Sequence, residues 1–214
     1  MLIGKPHSGK SALITFIKRV AGAGGYMPLS LADLSDRFRS GLLEKVSLVL
    51  NDELPCNGLK NLDMLKKIIA EEDIIIECKG KAPKCFSPRV KLVFAGNQLP
   101  YSKEYDFGNA FADRLCILVY PKTIKRESWN LNLDDCLYKE RDVIMSLALK
   151  YGKELISSNY LFAEPDDSMQ ILDSYKKESA SVQMFVQDED FCQIGLEFKA
   201  HIANLYDSYI LYAK

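Results

Sequence analysis

The stretch that decides the fold lies near the start of the chain and reads Gly4-Lys5-Pro6-His7-Ser8-Gly9-Lys10-Ser11. It follows a short apolar run and precedes a helical pattern of apolar residues. Glycines let backbone N–H groups wrap a phosphate, and the start of the following helix adds a positive dipole. Lys10 would neutralise the β- and γ-phosphate oxygens, and the Ser11 hydroxyl would bind Mg²⁺. The stretch therefore predicts a loop, residues 4–11, that binds ATP together with Mg²⁺.

The pattern is the Walker A motif G-x-x-x-x-G-K-[ST] of P-loop NTPases, and the chain around it has a matching organisation. Residues 1–121 alternate polar or helical segments with short apolar runs at 48–50, 74–76, 92–94 and 116–119. This alternation predicts an α/β fold built around a sheet. Because the first strand has only three residues before the loop, we expect part of the core to lie upstream. Helical patterns then dominate 122–214, at 140–155, 168–185 and 197–212, which predicts a small helical C-terminal subdomain.

Two further strand ends carry polar groups suited to a phosphate site. The apolar strand within Val46–Glu53 ends in adjacent acids, so we expect Asp52 to hold Mg²⁺ through water and Glu53 to activate the attacking water. The strand Lys91–Gly96 is followed by Asn97, whose amide suits a hydrogen bond to the γ-phosphate or the lytic water. Simple turns at the ends of the strands are the alternative interpretation of both.

Composition limits the classes of function. The 28 Lys and Arg residues and 29 Asp and Glu residues leave a net charge of -1, so any contact with DNA requires a local basic patch. The six cysteines are scattered without a Cys-x-x-Cys pair, which predicts reduced thiols in a cytoplasmic protein and no zinc site or disulfide framework. No apolar run approaches the roughly 20 residues that span a bilayer.

A local basic patch is present in the segment 78–85. Its three lysines, Lys79, Lys81 and Lys84, surround Gly80 between two apolar runs, a pattern that predicts a basic hairpin. Such lysines suit contacts with the phosphates of single-stranded DNA that read no base sequence. A solvated basic turn is the alternative interpretation.

The chain resembles the superfamily 3 helicases of the phage and plasmid primase-helicase type. The resemblance rests on four segments that occur in this order: the Walker A loop, Asp52-Glu53, Leu65–Ile74 and Phe94–Pro100. The resemblance implies a three-layer αβα, AAA+-like P-loop NTPase core. Such a core would assemble into a hexameric ring, hydrolyse ATP at subunit interfaces and pull single-stranded DNA through its centre. The resemblance also implies a prophage or plasmid setting and a primase or replication-initiation partner.

The resemblance also implies roles for individual residues. Lys10 and Ser11 match Walker A, Asp52 and Glu53 match Walker B, and Asn97 matches the sensor position. Arg114 matches the arginine finger that acts on the ATP of a neighbouring subunit. The basic segment with Lys79 and Lys81 is similar to the pore hairpin. A nucleotide-binding switch or an assembly ATPase that does not translocate is the alternative function.

Overall fold

The computed structural model describes residues 1–36, 38–54, 62–77, 82–100, 111–162, 164–179, 181–188 and 190–212. These residues form a five-stranded parallel sheet in the order β2-β3-β6-β1-β7 and a separate antiparallel pair, β4 and β5. The strands of the sheet are β1 (Leu2–Gly4), β2 (Tyr26–Met27), β3 (Leu48–Asn51), β6 (Lys91–Gly96) and β7 (Leu118–Tyr120). The antiparallel pair joins β4 (Ile74–Ile76) and β5 (Lys84–Phe86).

Helices cover both faces of the sheet. Helix α1 (Lys10–Ala21) buries Ile14 against one face, in a cluster with Leu2, Leu50 and Ala95. The other face packs against α2 (Leu31–Leu34), α3 (Leu62–Ile69) and part of the C-terminal region in a larger cluster. Adjacent strand residues therefore enter different clusters, as expected for strands buried on both faces. The described residues thus form a mixed α/β fold around a mostly parallel sheet.

The apolar run at 74–76 does not join that sheet. Ile74 and Ile76 are buried, whereas Ile75 between them is 62% exposed. This alternation is typical of an antiparallel strand with one buried face, and three consecutive isoleucines conceal it in the sequence. The predicted runs at 48–50, 92–94 and 116–119 do correspond to strands of the sheet, β3, β6 and β7. The two-residue strand β2 was not predicted.

The region after residue 121 is helical in the parts that the structure describes. Its helices are α4 (Leu133–Lys139), α5 (Arg141–Ser157), α6 (Asp166–Ser179), α7 (Ser181–Gln187) and α8 (Ile202–Tyr212). Helices α5 to α8 lie largely within the predicted helical patterns, whereas α4 lies outside them. No helix among these described ranges is long and apolar enough to cross a membrane.

Two of these helices dock on the N-terminal region. Helix α6 belongs to the larger core cluster, where the buried Tyr175 hydroxyl donates to Pro100 O at 2.8 Å and the buried Ser168 hydroxyl donates to Ile117 O at 2.7 Å. Helix α4 lies against α1, because the Arg19 guanidinium donates to Asp135 at 2.8 Å and stacks 4.2 Å from the centre of the Tyr138 ring. The division expected at residue 121 stays a prediction, although α6 shares its core with the sheet.

Candidate functional site: a glycine loop facing an acidic strand end

The glycine loop is shaped by a close approach to β7. A Cβ added to Gly4 would stand 2.1 Å from Tyr120 O, and the Lys5 N–H donates to that carbonyl at 3.2 Å. Gly9 has φ +95° and starts α1, and His7 also has a positive φ, of 57°. Positive φ is easy for glycine and uncommon for other residues, so the loop has a specific bent shape.

Lys10 turns back over this loop. Its ammonium group donates to Gly4 O at 2.7 Å, to Lys5 O at 2.6 Å and to the Ser8 hydroxyl at 3.2 Å. The side chain is nearly buried, at 8% exposure, and this burial lowers the pKa of Lys10 below its usual value. A buried ammonium inside a ring of loop oxygens is well placed to meet an anion above the loop.

One cavity of about 770 Å³ joins the loop to the other two predicted strand ends. Three parallel strands, β1, β6 and β3, lie side by side in that order, so their carboxyl ends share one edge of the sheet. Ligands of open α/β sheets bind at this edge. The cavity is lined by Pro6, His7, Lys10, Ser11, Ser30, Ala32, Asn51, Asp52, Glu53, Leu54, Ala95, Gly96 and Asn97.

The acidic pair is oriented by a local turn. The Asn51 side-chain oxygen accepts a hydrogen bond from the Glu53 N–H at 2.8 Å, a side-chain-to-backbone turn that directs the chain just after β3. The Asp52 side chain is 50% exposed and lies 3.8 Å from the Lys18 ammonium of α1. Sequence reasoning assigned no role to Asn51 or Lys18. The position of Asn51 two residues before Glu53 is a turn signal that can be recognised in the sequence. The contact between Asp52 and Lys18 of α1 cannot be recognised there, because it joins residues that are far apart in the sequence.

Helix α2 supplies a wall that the sequence reading also missed. Ser30 caps it: the Asp33 N–H donates to the Ser30 hydroxyl at 3.1 Å, and the Ser30 N–H donates to the Asp33 carboxylate at 2.9 Å. Burial raises the pKa of Asp33, but the Ser30 hydrogen bonds and the nearby Arg39 outweigh it and leave this pKa below its usual value. The pattern Ser30-Leu31-Ala32-Asp33 is a capping box that is visible in the sequence.

The donors present suit Mg²⁺ bound together with phosphate. Ser11 and Asp52, the two predicted ligands, line the same cavity and offer hard oxygen atoms. Across the described part of the chain, no group of three His, Cys, Asp or Glu side chains is arranged to hold a metal ion. Mg²⁺ is usually held by one or two carboxylates, substrate phosphates and water, and the residues here fit that pattern.

The remaining predicted site residues lie elsewhere. Arg114 borders a separate cavity of about 230 Å³ with Met1 and Lys91, at the edge of the sheet where β1 and β6 begin. It is therefore at the opposite end of the strands from Lys10. Lys79 and Lys81 fall outside the described residues. Lys84 lies exposed in β5 and forms an ion pair with Glu44. Strand β5 pairs with β4, the strand that precedes the basic segment in the sequence.

The fold and the cavity define the class of this protein: a mixed α/β protein with a lysine-bearing glycine loop at the carboxyl edge of a parallel sheet. The chain belongs to a family of unknown function, DUF5906, which matches residues 2–113. The matched part spans just over half of the chain and includes the glycine loop, the acidic pair and Asn97, and it ends just before Arg114. No curated protein matches the sequence.

Proposed function

We propose that this chain is the ATP-hydrolysing core of a DNA helicase of the superfamily 3 type, with an AAA+-like P-loop NTPase fold. One observation carries the proposal. A single cavity brings together Lys10 and Ser11 of the loop, the acids Asp52 and Glu53, and Asn97 from the strand between them. The strand order, with β6 inserted between the loop strand and the acidic strand, is compatible with such a core.

Each of these side chains has a distinct task in hydrolysis. Lys10 binds the terminal phosphates, and Asn97 orients the water that attacks the γ-phosphorus. Glu53 accepts a proton from that water as the oxygen–phosphorus bond forms and the bond to the leaving diphosphate breaks. Ser11 and Asp52 hold Mg²⁺, which when bound neutralises charge on the phosphate oxygens. These positions also agree with the Walker A, Walker B and sensor assignments.

The position of Arg114 supports action between subunits. Arg114 lies at the opposite edge of the sheet from the loop of its own chain, so it can approach the phosphates of another copy only. A ring in which each subunit offers its Arg114 edge to the loop edge of the next satisfies this requirement, and a hexamer is the assembly that the resemblance implies. Hydrolysis would then depend on assembly.

DNA contact is assigned to the basic segment. The net charge of -1 offers no general attraction to a polyanion, so Lys79, Lys81 and Lys84 must act locally. Six copies in a ring would concentrate their charge around one strand, without reading its base sequence.

A nucleotide-dependent switch or assembly ATPase that ignores DNA is the second candidate function. The ion pair of Lys84 with Glu44 favours it, because that pair already neutralises one of the three lysines. The two candidates share the nucleotide site and differ in the response of hydrolysis to DNA.

The first test is ATP hydrolysis with and without single-stranded DNA, together with the molecular mass by light scattering. The helicase proposal expects DNA-stimulated hydrolysis by an assembly larger than a monomer, and no hydrolysis by Lys10→Ala. A Lys79→Ala/Lys81→Ala double variant should keep basal hydrolysis and lose the stimulation. The control is Lys150→Ala/Lys153→Ala, which removes two exposed lysines from α5 and should leave both rates unchanged.

The outcomes separate the two candidates. Hydrolysis that is abolished by Lys10→Ala but indifferent to DNA would favour the switch. A protein that binds no nucleotide at all would contradict both.

A further inference from the structure

The segment that follows β7, residues 121–129 and here named the strap, is fastened to the glycine loop. Just before the strap, at the end of β7, Tyr120 O accepts a hydrogen bond from the Lys5 N–H at 3.2 Å. Further along, the Ile124 N–H donates to His7 O at 2.9 Å. At its end, the Trp129 ring lies against the His7 ring, with the centroids 5.0 Å apart and the planes tilted by 39°. The strap therefore contacts the glycine loop at His7 through both its backbone and the Trp129 ring.

Trp129 is held in a defined orientation although it is partly open to solvent. Its indole N–H donates to Ile124 O at 3.0 Å, the same residue whose N–H bonds the loop. The side chain remains 42% exposed, which leaves part of its aromatic surface accessible. An exposed aromatic ring fixed by a hydrogen bond and a neighbouring ring offers stacking area at a low cost in conformational entropy.

The strand order determines which end of a bound nucleotide would reach His7 and Trp129. The groups assigned to the terminal phosphate, Glu53 and Asn97, follow β3 and β6, which lie on one side of β1. The strap leaves β7, which lies on the other side of β1. A nucleotide whose terminal phosphate faces the acids therefore directs its nucleoside towards the strap. His7 is part of the cavity wall, and the Trp129 ring packs against His7 beside that wall.

We propose that His7 and Trp129 form the platform on which the base of the bound nucleotide stacks. This inference rests on the proposed nucleotide site and adds the chemical class that the site prefers. Stacking increases with the area of the π surface and uses no base-edge hydrogen bonds. The platform therefore favours purine over pyrimidine triphosphates and distinguishes adenine from guanine only weakly.

A base of single-stranded DNA is the competing occupant. The strap also carries Lys122, Lys125 and Arg126, and cations beside an aromatic ring are typical of single-strand binding surfaces. The contact with His7 favours the nucleotide, because it ties Trp129 to the loop that grips the phosphates. The test therefore includes DNA.

The experiment measures by calorimetry the affinities of ATP, GTP, CTP and tripolyphosphate, each with Mg²⁺, and the affinity of single-stranded DNA. The variants are Trp129→Ala, Trp129→Phe and a control, Tyr151→Ala, which removes an exposed aromatic ring from α5. Trp129→Ala should weaken ATP and GTP about 5- to 150-fold, the loss expected for one base–aromatic stack. It should leave tripolyphosphate unchanged, because that ligand has no base. Trp129→Phe should retain most of the affinity, and Tyr151→Ala all of it.

Trp129 is the single tryptophan of the chain, so its fluorescence reports directly on an added base. ATP should change this emission more than tripolyphosphate does at equal saturation. The emission of Trp129→Phe, which lacks tryptophan, provides the blank. A thermal melt of each variant identifies any that fails to fold, and the fluorescence test on the wild type does not depend on the variants.

Three results would overturn the inference. Unchanged ATP affinity in a folded Trp129→Ala variant would refute the stacking platform but not the proposed nucleotide site. An equal loss for ATP and tripolyphosphate would show that Trp129 only shapes the loop. A loss of affinity for single-stranded DNA with no loss for ATP would assign the ring to DNA. If the wild type bound neither ATP nor tripolyphosphate, the proposed function itself would fail.

Discussion

At the scale of single residues, Gly4 has no room for a side chain. A Cβ there would stand 2.1 Å from the Tyr120 carbonyl oxygen, and that carbonyl also accepts the Lys5 N–H. We expect Gly4→Ala to lower the free energy of unfolding by about 2–4 kcal/mol and to abolish nucleotide binding, because β1 and β7 must separate. Urea unfolding measures the first effect and calorimetry the second.

Gly152 provides the matched control for that substitution. It lies inside α5, and a Cβ there would meet no atom within 4 Å. Gly152→Ala should therefore raise the free energy of unfolding by about 0.5–1 kcal/mol, since alanine favours a helix interior. Equal effects of the two alanines would refute the explanation by close approach.

Lys10 should link nucleotide binding to pH. Burial lowers the pKa of Lys10, so its ammonium loses a proton at a lower pH than an ordinary lysine. Phosphate binds the protonated form and raises this pKa again, so binding takes up a proton as the pH approaches it. We expect the affinity for ATP to fall as pH rises through the alkaline range. Calorimetry in two buffers of different ionisation enthalpy measures the proton uptake.

A permanently charged side chain supplies the control for this linkage. Lys10→Arg keeps its charge throughout that range, so any residual binding should occur without proton uptake from this position. Proton uptake of the wild-type size in Lys10→Arg would assign the titration to a different group.

At the scale of local elements, the turn after β3 should affect hydrolysis more than binding. The Asn51 side chain accepts the Glu53 N–H at 2.8 Å and so directs the acid that we assign to water activation. We expect Asn51→Ala to lower kcat for ATP about 10- to 100-fold while the affinity for ATP changes less than threefold, since misplacing a base by about 1 Å is costly. Steady-state kinetics and calorimetry separate the two effects.

Asp188 makes the same kind of turn away from the site. Its side chain accepts the Asp190 N–H at 3.1 Å, so Asp188→Ala removes an equivalent hydrogen bond without touching the cavity. The explanation fails if Asp188→Ala lowers kcat as much as Asn51→Ala does.

Helix α6 fastens part of the C-terminal region to the sheet. Tyr175 is buried and its hydroxyl donates to Pro100 O at 2.8 Å, so Tyr175→Phe leaves a buried carbonyl without this donor. We expect a loss of about 1–2 kcal/mol in the free energy of unfolding, measured in urea. Tyr151→Phe, on the exposed Tyr151 of α5, should change it by less than about 0.5 kcal/mol.

At the scale of the whole molecule, the separation of Arg114 from the loop predicts complementation between subunits. Arg114→Ala and Glu53→Gln should each be inactive alone. In a mixture, an interface that combines Arg114 from one variant with Glu53 from the other is complete, so we expect hydrolysis to return to roughly a quarter of the wild-type rate. Coupled-enzyme ATPase assays on mixed and unmixed samples measure this recovery.

A second pair of variants tests whether the recovery arises from assembly. Lys10→Ala and Glu53→Gln affect the same cavity of one chain, so mixing them leaves every interface defective on the loop side. No activity should return. Recovery in this pair, or no recovery in the Arg114 pair, would count against action between subunits.

The sequence by itself was sufficient where the decisive pattern is local. Features that depend on a few adjacent residues can be predicted from the sequence. They include the glycine loop and its helix, the strands β3 and β6, and the positions of Asp52, Glu53 and Asn97. Parallel strands also share an edge, so the convergence of these three side chains follows once the strands are known. The capping box at Ser30 was equally readable, but nothing local connects it to the cavity.

Tertiary structure decided what depends on long-range contacts. The exclusion of β4 from the main sheet and the opposite position of Arg114 follow from the order in which the strands pair, and the contact of α6 with Pro100 joins residues 75 positions apart. The contact between His7 and Trp129 joins residues 122 positions apart, and no local pattern records it. Periodicity determines which face of an element is buried, but the partner that covers this face is selected by packing of the whole chain.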